Sequence, residues 1–272
     1  MNIRFGCKNS GPSDGCLFRK IKTKRQLAIA DREQELLSLA ERLMAEEGFS
    51  GLTMDKLVAA CSYSKGTVYN HFSSKEDLLC ALCIKCMETE LTMFSQALTF
   101  EGNSREKLLA VCYAYRLHAV LNPTLFYCVL TAKTPAVSEK AKPERLQRQQ
   151  ELEQQLADIC NHLFEHAMAA GDLQSPPAVP LSQLSFAAWA MAFGSNALLL
   201  AAGTTQLLKE LQAENALLFN INLLLDGMGW QPLSRDWDYK ASWQKIGQEV
   251  FKQELSTFRE QGMAPGQRGK HP

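Results

Sequence analysis

A chain of 272 residues, 46% hydrophobic and 21% charged, reads as an ordinary soluble globular protein, long enough to bury one large core or two small ones. Its formal net charge of zero gives no support by itself to a polyanionic partner, so that question passes to how the charge is distributed. Nine cysteines, an odd number without secretory context, argue against a disulfide scaffold and for reduced thiols in a cytoplasm.

The charge is uneven from the start. Residues 1–25 hold Arg4, Lys8, Arg19, Lys20, Lys22, Lys24 and Arg25 against the single acid Asp14. This stretch is expected to be a flexible basic arm that follows a phosphate backbone or enters a minor groove, with Lys22, Lys24 and Arg25 closest to the first helix. Residues 1–18 contain no apolar run of signal-peptide length, so nothing in them directs export.

The first helix is expected from about Ala30 to Glu47, with Leu36, Leu37, Ala40, Leu43 and Met44 on its core face and Gly48 as its stop. Behind it, Thr53 to Leu79 reads as two short amphipathic helices joined by a tight turn, followed directly by a third, which is the spacing of a helix-turn-helix. Met54, Leu57, Val58 and Cys61 form one apolar stripe, and Thr53 is placed as N-cap. Ser64 can cap the second helix, where Val68 and Phe72 lie one turn apart and point inward. At about 100° per residue, Gly66, Thr67, Tyr69 and Asn70 then lie on the outer face, with Lys65 and His71 on its flanks. Gly66 costs a helix interior roughly 1 kcal/mol relative to Ala, which close approach of the backbone to another surface would offset. Thr67 and Asn70 can bond base edges, and Lys65, Tyr69, His71 and the following Lys75 can bond phosphates. The plainer alternative is a small three-helix core with a polar exterior.

The residue identities favour the first reading. Gly48-Phe49, Leu52-Thr53, Leu57 to Ala60, Ser64 to Tyr69, His71-Phe72 and Ser74 to Leu79 together resemble the DNA-binding domain of the TetR/AcrR family of bacterial transcriptional regulators, over roughly residues 30–85. Two positions depart from that pattern: Ser62 and Tyr63 stand where the family usually has Gly-Val, and Asn70 where an aromatic residue is frequent. The second departure bears on which base is read. The resemblance implies a dimeric repressor that binds a near-palindromic operator and is released by a small-molecule ligand, an activator being the alternative.

The Ser74 helix is expected to run to about Phe94 and act as a lever between domains. Beyond it the pattern stays helical, with helices at about 104–121, 123–130, 143–170, 181–203, 207–227 and 239–261, so the fold class is all-α. The domains are placed at 1–25 for the arm, 26–86 for DNA binding with the motif at 53–72, 87–230 for ligand binding and dimerisation, and 231–272 for a C-terminal helix and tail. An aromatic-lined ligand cavity is expected at Tyr113, His118, Phe126, Tyr127 and Phe164. Leu184 to Gly203 is apolar nearly all round. Its Ser and Asn residues, and the lack of flanking basic clusters, favour a core or subunit interface over a membrane span, with Trp189, Phe193, Leu199, Leu218 and Leu225 at a homodimer contact.

Other chemistry finds little support. Cys80, Cys83 and Cys86 have metal-like intervals but lie within one helix, where small buried thiols are the common case, leaving a thiol-based redox sensor as a secondary alternative. His162 and His166 lack further ligands, so no metal and no cofactor is expected. No nucleophile elbow, phosphate-cradling loop or carboxylate pair offers a home for catalysis. A cysteine- or histidine-dependent enzyme using Cys112, Cys128 or His118 is the remote alternative.

Overall fold

The computed structural model describes residues 23–174, 179–201 and 213–260, and among these every regular element is a helix. Three helices make the N-terminal unit: α1 (Lys24–Gly51), α2 (Met54–Ala60) and α3 (Lys65–His71). Leu36, Leu37, Ala40 and Met44 of α1 close on Leu52, Met54 and Leu57, on Val68 in the middle of α3 and on Phe72 at its C-cap. Gly48, at φ +75°, breaks the helical path of α1 where the stop was expected, a conformation that glycine adopts without strain.

The N-terminus of α1 lies six residues before its expected start. Thr23 caps it, accepting from the Gln26 amide while the Gln26 side chain accepts from Thr23 N–H, a reciprocal capping box. Leu27 and Ile29 are exposed there, so this turn is held by caps and leaves no apolar periodicity to read. Lys24 and Arg25 therefore belong to the first turn of a helix and not to an arm. Lys22 and the rest of the expected arm lie outside the described residues.

The long α4 (Lys75–Ala97) joins this unit to α5 (Ser104–Leu121), α6 (Pro123–Ala132), the single turn α7 (Pro135–Ser138), and α8 (Pro143–Ala170). Its first turns, through Leu78, Leu79 and Leu82, belong to the N-terminal core, and its last, through Met93, Phe94 and Ala97, to the second core. The expected boundary between residues 86 and 87 thus falls inside one continuous helix.

The second core is completed by α9 (Leu181–Leu200), α10 (Ala213–Gly227), α11 (Tyr239–Glu249) and α12 (Lys252–Glu260). Arg105, fully buried, pins α5 to α10 and the segment behind it. Its guanidinium donates to Asp226 at 2.7 Å, to Asn222 Oδ1 at 2.8 Å and to the Trp230 carbonyl at 2.8 Å, and lies over the Tyr239 ring. The expected single helix from 239 to 261 divides at Val250, because Phe251 turns inward to stack on Tyr113 at 5.6 Å. Helix α9 is long and apolar enough to cross a membrane by length and composition. It packs against α5, α8 and α10, and its Ser195 accepts from Asn220 at 3.0 Å, an arrangement suited to a core helix.

Candidate nucleic-acid interface

Short helices need their ends satisfied, and both helices of the motif are capped as the sequence suggests. Thr53 Oγ1 accepts from Lys56 N–H at 3.2 Å, and Ser64 Oγ accepts from Thr67 N–H at 3.2 Å while lying 2.9 Å from the Thr67 hydroxyl. Burial of Val68 and Phe72 fixes the roll of α3, leaving Lys65, Gly66, Tyr69 and Asn70 exposed and Thr67 half-buried on the other side. A Cβ on Gly66 would meet nothing nearer than the Ser64 hydroxyl at 3.9 Å, so no internal packing asks for glycine there. Lys65 lies over the Tyr69 ring and 3.0 Å from Asp55 of α2, an exposed pair that holds it loosely.

Two expected phosphate ligands sit elsewhere. His71 is 7% exposed, with Nδ1 3.4 Å from Glu33 of α1, because it completes the inner turn that ends at Phe72. Lys75 donates to the Phe49 carbonyl at 3.1 Å and covers the Phe49 ring, closing the loop after Gly48. Both are structural contacts in this chain.

Four basic residues that the motif does not contain lie beside its outer face. A cleft of about 510 Å³ between the start of α1 and α3 is lined by Arg25, Arg32, Thr67, Asn70, Lys142 and Arg145 among others. Lys24 and Arg25 occupy a helix N-terminus with no acidic residue in its first turn, where the helix dipole disfavours cations and an external anion would compensate.

Lys142 and Arg145 also tie α3 to the second core. The last carbonyls of α3 have no partner within the helix, and they are met from α8: Lys142 Nζ donates to Asn70 O at 3.3 Å and His71 O at 2.8 Å, and Arg145 Nη2 to His71 O at 3.0 Å. Arg145 continues to Glu33 at 2.9 Å and to the buried Asp77 of α4 at 3.1 Å, and lies over Phe72. Asp77 in turn accepts from the Lys142 and Ser73 amides, each at 3.0 Å. Sequence reasoning missed this clamp because its partners lie roughly 70 residues apart with no local pattern.

Further along α4 and α8 is a cavity of about 300 Å³, walled by Met87, Glu90, Phe94, Tyr115, Cys160 and Trp189 among others. None of the five residues expected to line a ligand cavity is in the wall of this one. Tyr113 packs between Trp243 and Phe251, and the glycine at 247 lets it in. His118 is buried 3.2 Å from the Cys86 thiol, and burial lowers its pKa to about 4. Phe126 stacks on Phe193, and Phe164 lies against Trp230. Tyr127 is exposed and donates to the Ala197 carbonyl at 2.9 Å. The aromatic cluster was legible; which members face the void depends on helix roll.

The expected interface residues are redistributed as well. Leu199, Leu218 and Leu225 turn into their own core, Phe193 stacks internally, and Trp189 borders the cavity. The most exposed large apolar residues on α9 and α10 are instead Phe186, Leu198, Phe219 and Leu223, each more than half accessible. A helix apolar on every side gives the sequence no basis for choosing between faces.

Burial pushes the Cys80 thiol up to about 11 and Cys83 to about 12, and raises Cys86 well above its ordinary value, so all three stay protonated and weakly nucleophilic. Among the described residues, no group of three or more His, Cys, Asp or Glu side chains is placed to hold a metal.

A capped pair of short helices presenting a polar, glycine-containing face beside a basic cleft defines a helix-turn-helix DNA-binding domain. Residues 36–82 match the family model described as "Bacterial regulatory proteins, tetR family". The match runs from the core face of α1 into α4. It is 29% identical over 106 residues to a helix-turn-helix transcriptional regulator of Staphylococcus aureus, a match spanning 39% of this chain and 56% of that protein. It is also 32% identical over 85 residues to the repressor NemR of Escherichia coli, spanning 29% of this chain and 41% of NemR. These matches span little more than half of the relatives' length, or less. Among solved structures, a tetR-family regulatory protein from Rhodococcus RHA1 superposes with a TM-score of 0.56 at 16% identity, covering 73% of this chain and 97% of that one, which shows a shared fold.

Proposed function

We propose that the protein is a homodimeric, sequence-specific transcriptional repressor of the cytoplasm, released from its operator by a small molecule in the α4–α5–α8–α9 cavity. The observation that carries the DNA-reading part is the outer face of α3. Gly66, Tyr69 and Asn70 are turned outward by the burial of Val68 and Phe72, and the half-buried Thr67 opens onto the cleft that Arg25, Arg32 and Lys142 line. A helix enters the major groove with its polar residues at base edges and its basic surroundings on phosphates. In this reading Thr67 and Asn70 read bases, Lys65, Tyr69, Lys24 and Arg25 hold the backbone, and Thr53 and Ser64 present the helix N-termini. The similarity to NemR, named a repressor, supports the sign of regulation.

Dimerisation through Leu198, Phe219 and Leu223 would cover the exposed apolar surface of α9 and α10 and carry two copies of α3. Such copies must stand about 34 to 36 Å apart to enter successive major grooves, so the operator is a near-palindrome. Helices α4 and α8 both wall the cavity and both end at the Asp77–Arg145 clamp, so a ligand that shifts one against the other reorients α3. A coupling of about 1 to 3 kcal/mol would lower DNA affinity roughly 5- to 150-fold. Selection from a random duplex pool tests the DNA-reading part directly. Recovery of a two-fold-related consensus supports it, and a pool that stays random refutes it.

A further inference from the structure

One group in the cavity wall is not accounted for by a packed core. Glu90 of α4 opens onto the void, is 8% exposed, and its carboxyl has no hydrogen-bond or ion-pair partner among the described residues. Around it stand Met87, Phe94, Tyr115 and Trp189. The ionisable groups that face it are Cys86 on its own helix, Tyr115 of α5, Lys133 just after α6, and Glu153 and Cys160 of α8; α9 contributes only Ser182, Ser185 and aromatic rings. Lys133 is paired with Glu153 at 3.1 Å and acts on Glu90 only through space, a pull that burial outweighs. The wall therefore holds two carboxyl groups against one ammonium, lined by aromatic faces that attract cations.

We propose that this cavity takes a hydrophobic monocation, an amine or quaternary ammonium with a small aromatic or alkyl body, with Glu90 as its counter-ion and Tyr115 and Trp189 around its charged head. The inference deepens the reading of this cavity as the effector site and rests on it. An anion would find the one ammonium of the wall already paired with Glu153, and a neutral ligand would leave Glu90 protonated. Burial holds Glu90 up to about 8, which keeps it protonated at neutral pH. A cation entering ionises it, and the carboxyl proton leaves to solvent. Binding and proton release are therefore one event.

Equilibrium dialysis of the full chain with benzyltrimethylammonium, and with its uncharged carbon isostere neopentylbenzene, tests this. The cation should bind about tenfold more tightly at pH 9 than at pH 7, as Glu90 passes from mostly protonated to mostly ionised, and should release close to one proton per molecule bound in unbuffered solution at pH 7. Glu90→Gln should abolish cation binding and its pH dependence while retaining the isostere, which shows that the cavity is intact. Isostere binding as tight as the cation's, cation affinity that is flat or falls with rising pH, or failure of the cation to bind overturns the proposal. A parallel assay of DNA affinity separates the two readings. Proton-linked cation binding that leaves DNA affinity unchanged removes the effector role and leaves this site standing, whereas operator binding without any cation binding does the reverse.

Discussion

The guanidinium of Arg145, in the first turn of α8, donates to the His71 carbonyl at the last residue of α3 at 3.0 Å. The candidate recognition helix is thus terminated by a residue of the second core, and its orientation is tied to the helix that walls the cavity. Arg145 also compensates Asp77, which is fully buried.

Removing Arg145 leaves the buried Asp77 with the Lys142 ammonium alone, at 3.6 Å. Arg145→Met should destabilise the chain by about 3 kcal/mol in urea denaturation, and Asp77→Asn combined with Arg145→Met should recover much of the loss. A double variant that costs the sum of Arg145→Met and Asp77→Asn measured separately would show that the pair contributes nothing as a unit.

Glycine at 66 weakens the helix for no internal packing reason. Gly66→Ala is expected to raise stability by up to about 1 kcal/mol while weakening operator binding. Thermal melts and gel-shift titration read the two effects separately, and an alanine variant that binds as well as the parent would remove the argument for close backbone approach.

Base-reading and phosphate-holding residues should fail differently. Thr67→Ala or Asn70→Ala should relax preference at one or two base pairs by about 1 to 3 kcal/mol each, measured by repeating the duplex selection. Lys65→Ala and Tyr69→Ala should weaken binding to all duplexes alike, with a shallower salt dependence for the lysine variant. Identical behaviour of the four variants would contradict this division.

Stability should depend on pH through Glu90. Its folded-state pKa, raised to about 8, lies above the ordinary carboxylate value, so the native state binds the proton more tightly than the unfolded chain does. The stabilisation this gives is fully present below the unfolded value and is lost as pH rises through about 8. Between pH 4.5 and pH 8 the loss should be on the order of a few kcal/mol, and Glu90→Gln should flatten that slope in denaturant titrations. A parent and variant with the same slope would mean that Glu90 is solvated.

What the sequence made legible, and what it hid, follow from the range of the interactions. Caps at Thr53 and Ser64, the inward pair Val68 and Phe72, and the stop at Gly48 are local signals, and each stands where it was expected. The start of α1 was missed because the Thr23–Gln26 capping box precedes any apolar repeat. His71 has the polar character of a surface residue, but Glu33, far away in the chain, gives it a buried partner. The Lys142–Arg145 clamp, the Glu90 carboxyl that opens onto the cavity and the choice between Leu218 and Phe219 as the outward residue of α10 all depend on how helices roll against one another. Periodicity cannot report that roll when a helix is apolar all round.

The central claim is that the outer face of α3 enters a major groove, twice per dimer. Methylation protection at guanine N7, which lies in that groove, tests it most directly on the selected duplex. The account predicts two protected segments about 10 to 10.5 base pairs apart, centre to centre, with protection lost locally in Asn70→Ala. A bound duplex whose major-groove guanines remain fully reactive would contradict it.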